Sequence, residues 1–132
     1  MQFLYQRRWL VLFVLMMVLV IIITIGADLR LIPTRPFRIR YSDKLGHFIL
    51  YGILAFLLHL AINGRRWKIN RVSIPVAVCI VTAISLLDEA HQFFIRRRSL
   101  DAMDFAADVA GILFFVWLAE RLRKRIAHRH AD

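Results

Sequence analysis

Three clusters of polar residues interrupt long apolar runs. Asp43, Lys44 and His47 stand at the head of one run, Asp88, Glu89 and Gln92 near the end of the next, and Asp101, Asp104 and Asp108 at the head of the last. Carboxylates beside an imidazole and an amine can exchange protons with a substrate, hold a cation or bind a polar headgroup. In apolar surroundings such groups are costly, and an ionisable residue at membrane depth is by default a functional-site hypothesis. Their spacing is helical. Asp43, His47 and Tyr51 stand four residues apart and share a face; Asp88 shares one with Gln92, with Ser85 a turn before and Glu89 beside it. Asp101, Asp104, Asp108 and Gly111 form a third stripe. Each stripe must face inward, because a carboxylate turned to lipid costs about 2.5 kcal/mol or more.

The elements that position these stripes follow from hydropathy. The chain has 132 residues and is 60% hydrophobic, above the roughly 45–50% of soluble domains. Trp9 to Ala27 carries no charge, and three further apolar runs follow. Each approaches the ~20 residues that span a bilayer. The expectation is an all-α integral membrane protein with four transmembrane helices at about 9–27, 44–63, 72–94 and 101–120, forming an antiparallel bundle. Residues 1–132 make a single membrane domain, closed by a basic cytoplasmic tail at 121–132. The first run is longer than a secretory signal core and reads as an uncleaved signal-anchor. Gly64 is expected to cap the second helix, Arg65 to Arg71 to form a short basic turn, and Pro75 to lie in the first turn of the third helix.

Charge sets the orientation. The net charge is +10, but no groove-reading motif or stacking pattern accompanies it, so nucleic acid is not expected as a partner. Eleven of the 19 Lys and Arg residues fall on the side that holds both termini. The positive-inside rule therefore favours N-in, C-in in a multi-pass cell (inner) membrane protein. The remaining cations work against that topology. Arg96, Arg97 and Arg98 among them invite an anion, the competing reading being pairing with local carboxylates or lipid phosphates.

Depth bears on mechanism. Asp88 lies about 24 Å along the helix from Val72, roughly 6 Å below the outer surface of a ~30 Å core, and Asp108 roughly 10 Å below the same surface. The groups thus line a shallow, outward-facing pocket. The opposite halves of the helices hold little that is ionisable beyond His59, which reads as a lone packing or interfacial histidine, so a proton or ion conduit is disfavoured. Trp9, Trp67 and Trp117 read as interface anchors. Cys79 is the only cysteine and can form no internal disulfide. The spacing matches no established metal motif, so no metal and no cofactor is expected, and no residue is assigned as catalytic.

The polar pattern resembles the VanZ-like family of small bacterial membrane proteins. The resemblance runs through Asp43-Lys44-x-x-His47-Phe48-x-x-Tyr51-Gly52, then Asp88-Glu89-x-x-Gln92-x-Phe94, then Arg98-Ser99-x-Asp101-x-x-Asp104, and ends near Asp108-x-x-Gly111, covering about residues 43–115. Three positions depart from the family pattern: Arg96-Arg97 replaces a usual Pro-Gly pair, Asp108 a usual asparagine, and Phe115 a frequent glycine. The resemblance implies an integral protein of the cell envelope; the name-giving member is associated with low-level resistance to teicoplanin-type glycopeptides. The resulting expectation is a pocket of Asp43, Lys44, His47, Tyr51, Asp88, Glu89, Gln92, Arg98, Asp101, Asp104 and Asp108 that binds an envelope lipid, a lipid-linked cell-wall intermediate or a peptide-like ligand. Two alternatives stay open: a membrane-embedded hydrolase or transferase acting on a lipid-linked substrate, and a structural protein whose polar cluster is helix–helix glue. Oligomeric state is not legible.

Overall fold

A computed structural model describes residues 2–29, 42–96 and 102–129. Helix α1 spans Gln2–Asp28, α2 Ser42–Ala61, α3 Val76–Arg96 and α4 Ala102–Arg129; strands β1 (Arg66–Ile69) and β2 (Val72–Pro75) lie between α2 and α3. Among the described residues, three helical stretches are long and apolar enough to cross a membrane: Tyr5–Gly26, Lys44–Ala61 and Ala102–His128. From Trp9 to Ala27 helix α1 is uncharged on all sides, as a lipid-facing stretch must be. Val20 is its one buried residue among the described side chains, while Trp9 packs edge-on against Phe56 of α2 at 6.2 Å.

The most extensive packing joins α2 to α4. These two helices run parallel and in register, since Lys44 meets Asp104, His47 meets Asp108 and His59 meets Glu120, each pair 60 or 61 residues apart. Helix α3 runs the other way, so its C-terminal half meets the N-terminal halves of α2 and α4, with Tyr51 reaching Asp88 and Ser85 reaching Asp108. Between the helices lies a core of Tyr51, Leu54, Ala55, Leu58, Ala77, Val81, Ile112 and Val116. Close approach depends on Gly111, because a Cβ there would collide with the backbone carbonyl of Phe48.

Four boundaries differ from the sequence expectation, while the expected cap at Gly64 is found. Helix α1 starts at Gln2 rather than near Trp9; Leu, Gln and Arg are good helix formers and no breaker precedes the apolar run. The end of α2 is a Schellman turn in which Asn63 (φ 55°) and Gly64 (φ 67°) are both left-handed. Gly64 N–H donates to the His59 carbonyl at 2.8 Å and Asn63 N–H to that of Leu60 at 3.1 Å. The basic turn at Arg65 to Arg71 is instead an antiparallel hairpin with Arg66 opposite Pro75, Trp67 opposite Ile74, Lys68 opposite Ser73 and Ile69 opposite Val72. Its period-two alternation is written in Arg-Trp-Lys-Ile, and Asn70 at φ 55° supplies the left-handed residue that a two-residue loop needs. Pro75 therefore closes β2, and α3 begins after it, at Val76. Finally, the segment expected as a basic tail continues α4 to Arg129; the helix is 28 residues long, about 42 Å, and outreaches a ~30 Å core by roughly two turns.

Candidate functional site

Each polar stripe contributes to one cluster at the end where α2 and α4 begin and α3 finishes. From α2, Lys44 Nζ donates to Asp104 Oδ1 at 2.7 Å, and His47 Nδ1 lies 3.0 Å from Asp108 Oδ1. From α3, Ser85 Oγ donates to Asp108 Oδ2 at 2.5 Å, and Asp88 Oδ2 accepts from the Tyr51 hydroxyl at 2.8 Å. The His47 ring stacks on that of Tyr51, with centroids 6.0 Å apart and planes 21° from parallel.

The carboxylates are not equivalent. Asp108 is wholly buried, and both of its oxygens are engaged, one by Ser85 and one by His47. An ionised Asp108 would only accept, and His47 would then present Nδ1–H to it. Asp104 is 8% exposed and uses Oδ1 for Lys44. Glu89 is 7% exposed, and among the described residues its carboxylate makes no hydrogen bond or ion pair. One ligand-capable atom from each of His47, Glu89 and Asp104 lies within 4.8 Å of the other two. Three helices thus bring an imidazole and two carboxylates to one point, which no local spacing announced.

The fold shifts the depth of these groups. With α3 ending at Arg96 and α4 starting at Ala102, Asp88 lies about 12 Å and Asp108 about 9 Å inside their helix ends, at ~1.5 Å per residue. Among the expected site residues, Lys44, His47, Tyr51, Asp88, Glu89, Asp104 and Asp108 come together. The side chains of Asp43, Gln92 and Arg96 lie outside the described residues, as do Arg97, Arg98 and Asp101 altogether.

A second polar cluster, which sequence reasoning missed, occupies the opposite end of α2 and α4. His59 is not a lone histidine. Its Nε2 lies 3.0 Å from Glu120 Oε1, which also accepts from Arg66 at 3.3 Å, while Arg123 donates to Glu120 Oε2 at 3.5 Å and to Asn63 Oδ1 at 3.3 Å. Among the described residues His59 Nδ1 is buried without a partner. His59 and Glu120 have the same 61-residue offset as His47 and Asp108, which becomes a signal only once α2 is paired with α4.

Residues 4–123 match the family model described as VanZ/LLP1. No curated protein and no solved structure gives a match.

Proposed function

The chain belongs to the VanZ/LLP1 family, and from that premise we propose that its polar end is an outward-facing binding pocket for an envelope lipid or a lipid-linked cell-wall intermediate. The observation that carries this reading is the meeting of His47, Glu89 and Asp104 from three helices, with Glu89 7% exposed and without a hydrogen bond or ion pair among the described residues. The Glu89 oxygens are not among the sealed, unpartnered atoms, so a ligand that supplies an amine, a hydroxyl or a cation can reach them. Lys44 and His47 bring positive charge or donors to the same point, suited to a phosphate or a peptide-like carboxylate. Arg96, Arg97 and Arg98 follow directly after α3 in sequence and are proposed to attract the anionic headgroup. Asp108 has a different part, since both its oxygens are engaged internally: it holds the helices and His47 in position.

In this reading α3 is a fourth span. Its 21 residues make about 31 Å of helix, enough to cross, and its antiparallel course between two parallel helices agrees with an even number of crossings. Both termini then lie in the cytoplasm, and the pocket opens outward. The deciding experiment is lipid-resolved mass spectrometry of the purified protein. An envelope lipid is expected to co-purify with the wild type and to be lost from Glu89→Gln. Equal retention by a folded Glu89→Gln protein sinks the pocket. Teicoplanin susceptibility of cells expressing the two forms tests whether the association of the name-giving family member extends to this chain.

A further inference from the structure

We infer that His47, Glu89 and Asp104 form a binding site for one divalent metal ion of the Zn2+ class, with Asp108 and Ser85 as its supporting layer. The inference deepens the pocket and rests on the reading of this cluster as a ligand site. One atom from each of the three residues already lies within 4.8 Å of the other two. A tetrahedral ion with ligand bonds of about 2.0–2.2 Å holds its ligand atoms roughly 3.3–3.6 Å apart, so the three atoms draw closer on binding.

The chemistry of the three donors is selective. One imidazole with two carboxylates is a mixed nitrogen and oxygen set, which suits Zn2+ better than the all-oxygen cages of Ca2+ or Mg2+. Three protein ligands leave a coordination position open, the arrangement of zinc sites that bind an exchangeable ligand. In the pocket that position is proposed to take an anionic oxygen of the lipid headgroup.

Two independent observations point to a cation. Glu89 is 7% exposed and makes no hydrogen bond or ion pair among the described residues, although it sits beside His47 and Asp104. Its oxygens are not among the sealed, unpartnered atoms and are proposed to be open to a cation. Separately, His47 Nδ1 lies 3.0 Å from Asp108 Oδ1, and Asp108 is itself held by Ser85 Oγ. A carboxylate on one imidazole nitrogen fixes the tautomer and aims the lone pair of the other, which is how metal-ligating histidines are oriented. Asp104 engages Lys44 through Oδ1, and its Oδ2 is the oxygen proposed for the ion. Lys44 then offsets part of the negative charge and tunes affinity without occupying the site.

The test uses full-length protein, purified through a histidine-free tag and placed in nanodiscs of zwitterionic lipid. Zn2+ is titrated calorimetrically after chelator treatment, and bound zinc is counted by elemental mass spectrometry. One equivalent is expected in the wild type. Glu89→Gln and Asp104→Asn are each expected to weaken binding at least about tenfold, Asp108→Asn by about 10–100-fold as a supporting-layer change, and Glu120→Gln at the other end to leave it unchanged. X-ray absorption of zinc-loaded wild type needs no variant to fold: one imidazole with oxygen donors supports the site. A shell with two or more imidazoles, a wild type that takes up no zinc, or a Glu89→Gln protein that binds as the wild type does overturns it. Lipid retention separates the two readings. Lipid kept by chelator-stripped wild type but lost from Glu89→Gln sinks the metal and leaves the pocket; stoichiometric zinc with lipid retention indifferent to Glu89→Gln does the reverse.

Discussion

His59 on α2 and Glu120 on α4 meet at 3.0 Å, and the 61 residues between them equal the separation that joins His47 to Asp108 at the other end of the same two helices. Helices α2 and α4 are therefore pinned in one register by a polar contact near each end. Lipid supplies no hydrophobic drive for helix association, so packing and such contacts must hold the pair. Glu120→Ala removes the carboxylate that His59, Arg66 and Arg123 share. It is expected to lower stability by on the order of 2 kcal/mol, the range for hydrogen bonds to charged groups. The check is thermal unfolding in detergent; lipid and zinc binding at the far end should not change. An unaltered melting point would show that the cluster is not a pin.

Gly111 tests the packing between those pins. A Cβ at this position would strike the Phe48 carbonyl, which is backbone and cannot rotate away. Gly111→Ala is expected to cost about 1–3 kcal/mol, the usual penalty for overpacking, and Gly111→Leu to prevent assembly of α2 against α4. Melting temperatures of the two variants, ranked Ala above Leu and both below wild type, are the readout. A Gly111→Ala protein as stable as wild type means the helices do not approach this closely.

Asp108 is the point where α2, α3 and α4 are tied together. Replacing it with alanine leaves His47 and Ser85 without their shared acceptor, and breaking a buried, charged contact of this kind costs about 3–5 kcal/mol. Ser85→Ala removes one neutral donor and is expected to cost about 1 kcal/mol. Because both act through one carboxylate, the double variant should be less destabilised than the sum of the singles. Strict additivity in a thermal-unfolding cycle would mean that the two residues act separately.

The sequence carried the stripes but not their partners. Helical spacing puts Asp104 and Asp108 on one face and Asp88 near Glu89, because periodicity fixes which residues share a side. It does not say which helix that side meets. The pairing of α2 with α4 is a tertiary fact, and with it came the junction of His47, Glu89 and Asp104 and the whole His59–Glu120 cluster. The hairpin was hidden for another reason. Arg65, Arg66, Lys68 and Arg71 read as a solvated turn, and charge masked an alternation only four residues long on each strand. The basic end of α4 was masked the same way, although Arg, Lys, Leu and Ala are all good helix formers.

That hairpin has two chemically different faces, and the difference predicts where it sits. The register pairs Trp67 with Ile74 and Ile69 with Val72, so these four side chains share one face, while Arg66, Lys68, Ser73 and Pro75 share the other. Trp67, Ile69 and Val72 are 50–59% exposed within the chain, an apolar surface that water would disfavour by about 25 cal/mol per Å2. The opposite face is tied down: Arg66 donates to the Ser73 hydroxyl at 2.9 Å, to the Ser73 carbonyl at 2.8 Å and to Glu120. An apolar face bearing a tryptophan, backed by cations, fits the headgroup boundary of a bilayer. In a single-tryptophan protein made by Trp9→Phe and Trp117→Phe, Trp67 emission is expected to be quenched strongly by bromine near the glycerol end of the acyl chains. Bromine near the methyl end should quench it weakly, and iodide in the water less than it quenches free tryptophan. Lys68→Glu should weaken the bromine quenching in anionic bilayers, by placing a like charge against the headgroups. Full iodide quenching with no effect of bromine would put the hairpin in water and remove the argument for an interfacial face.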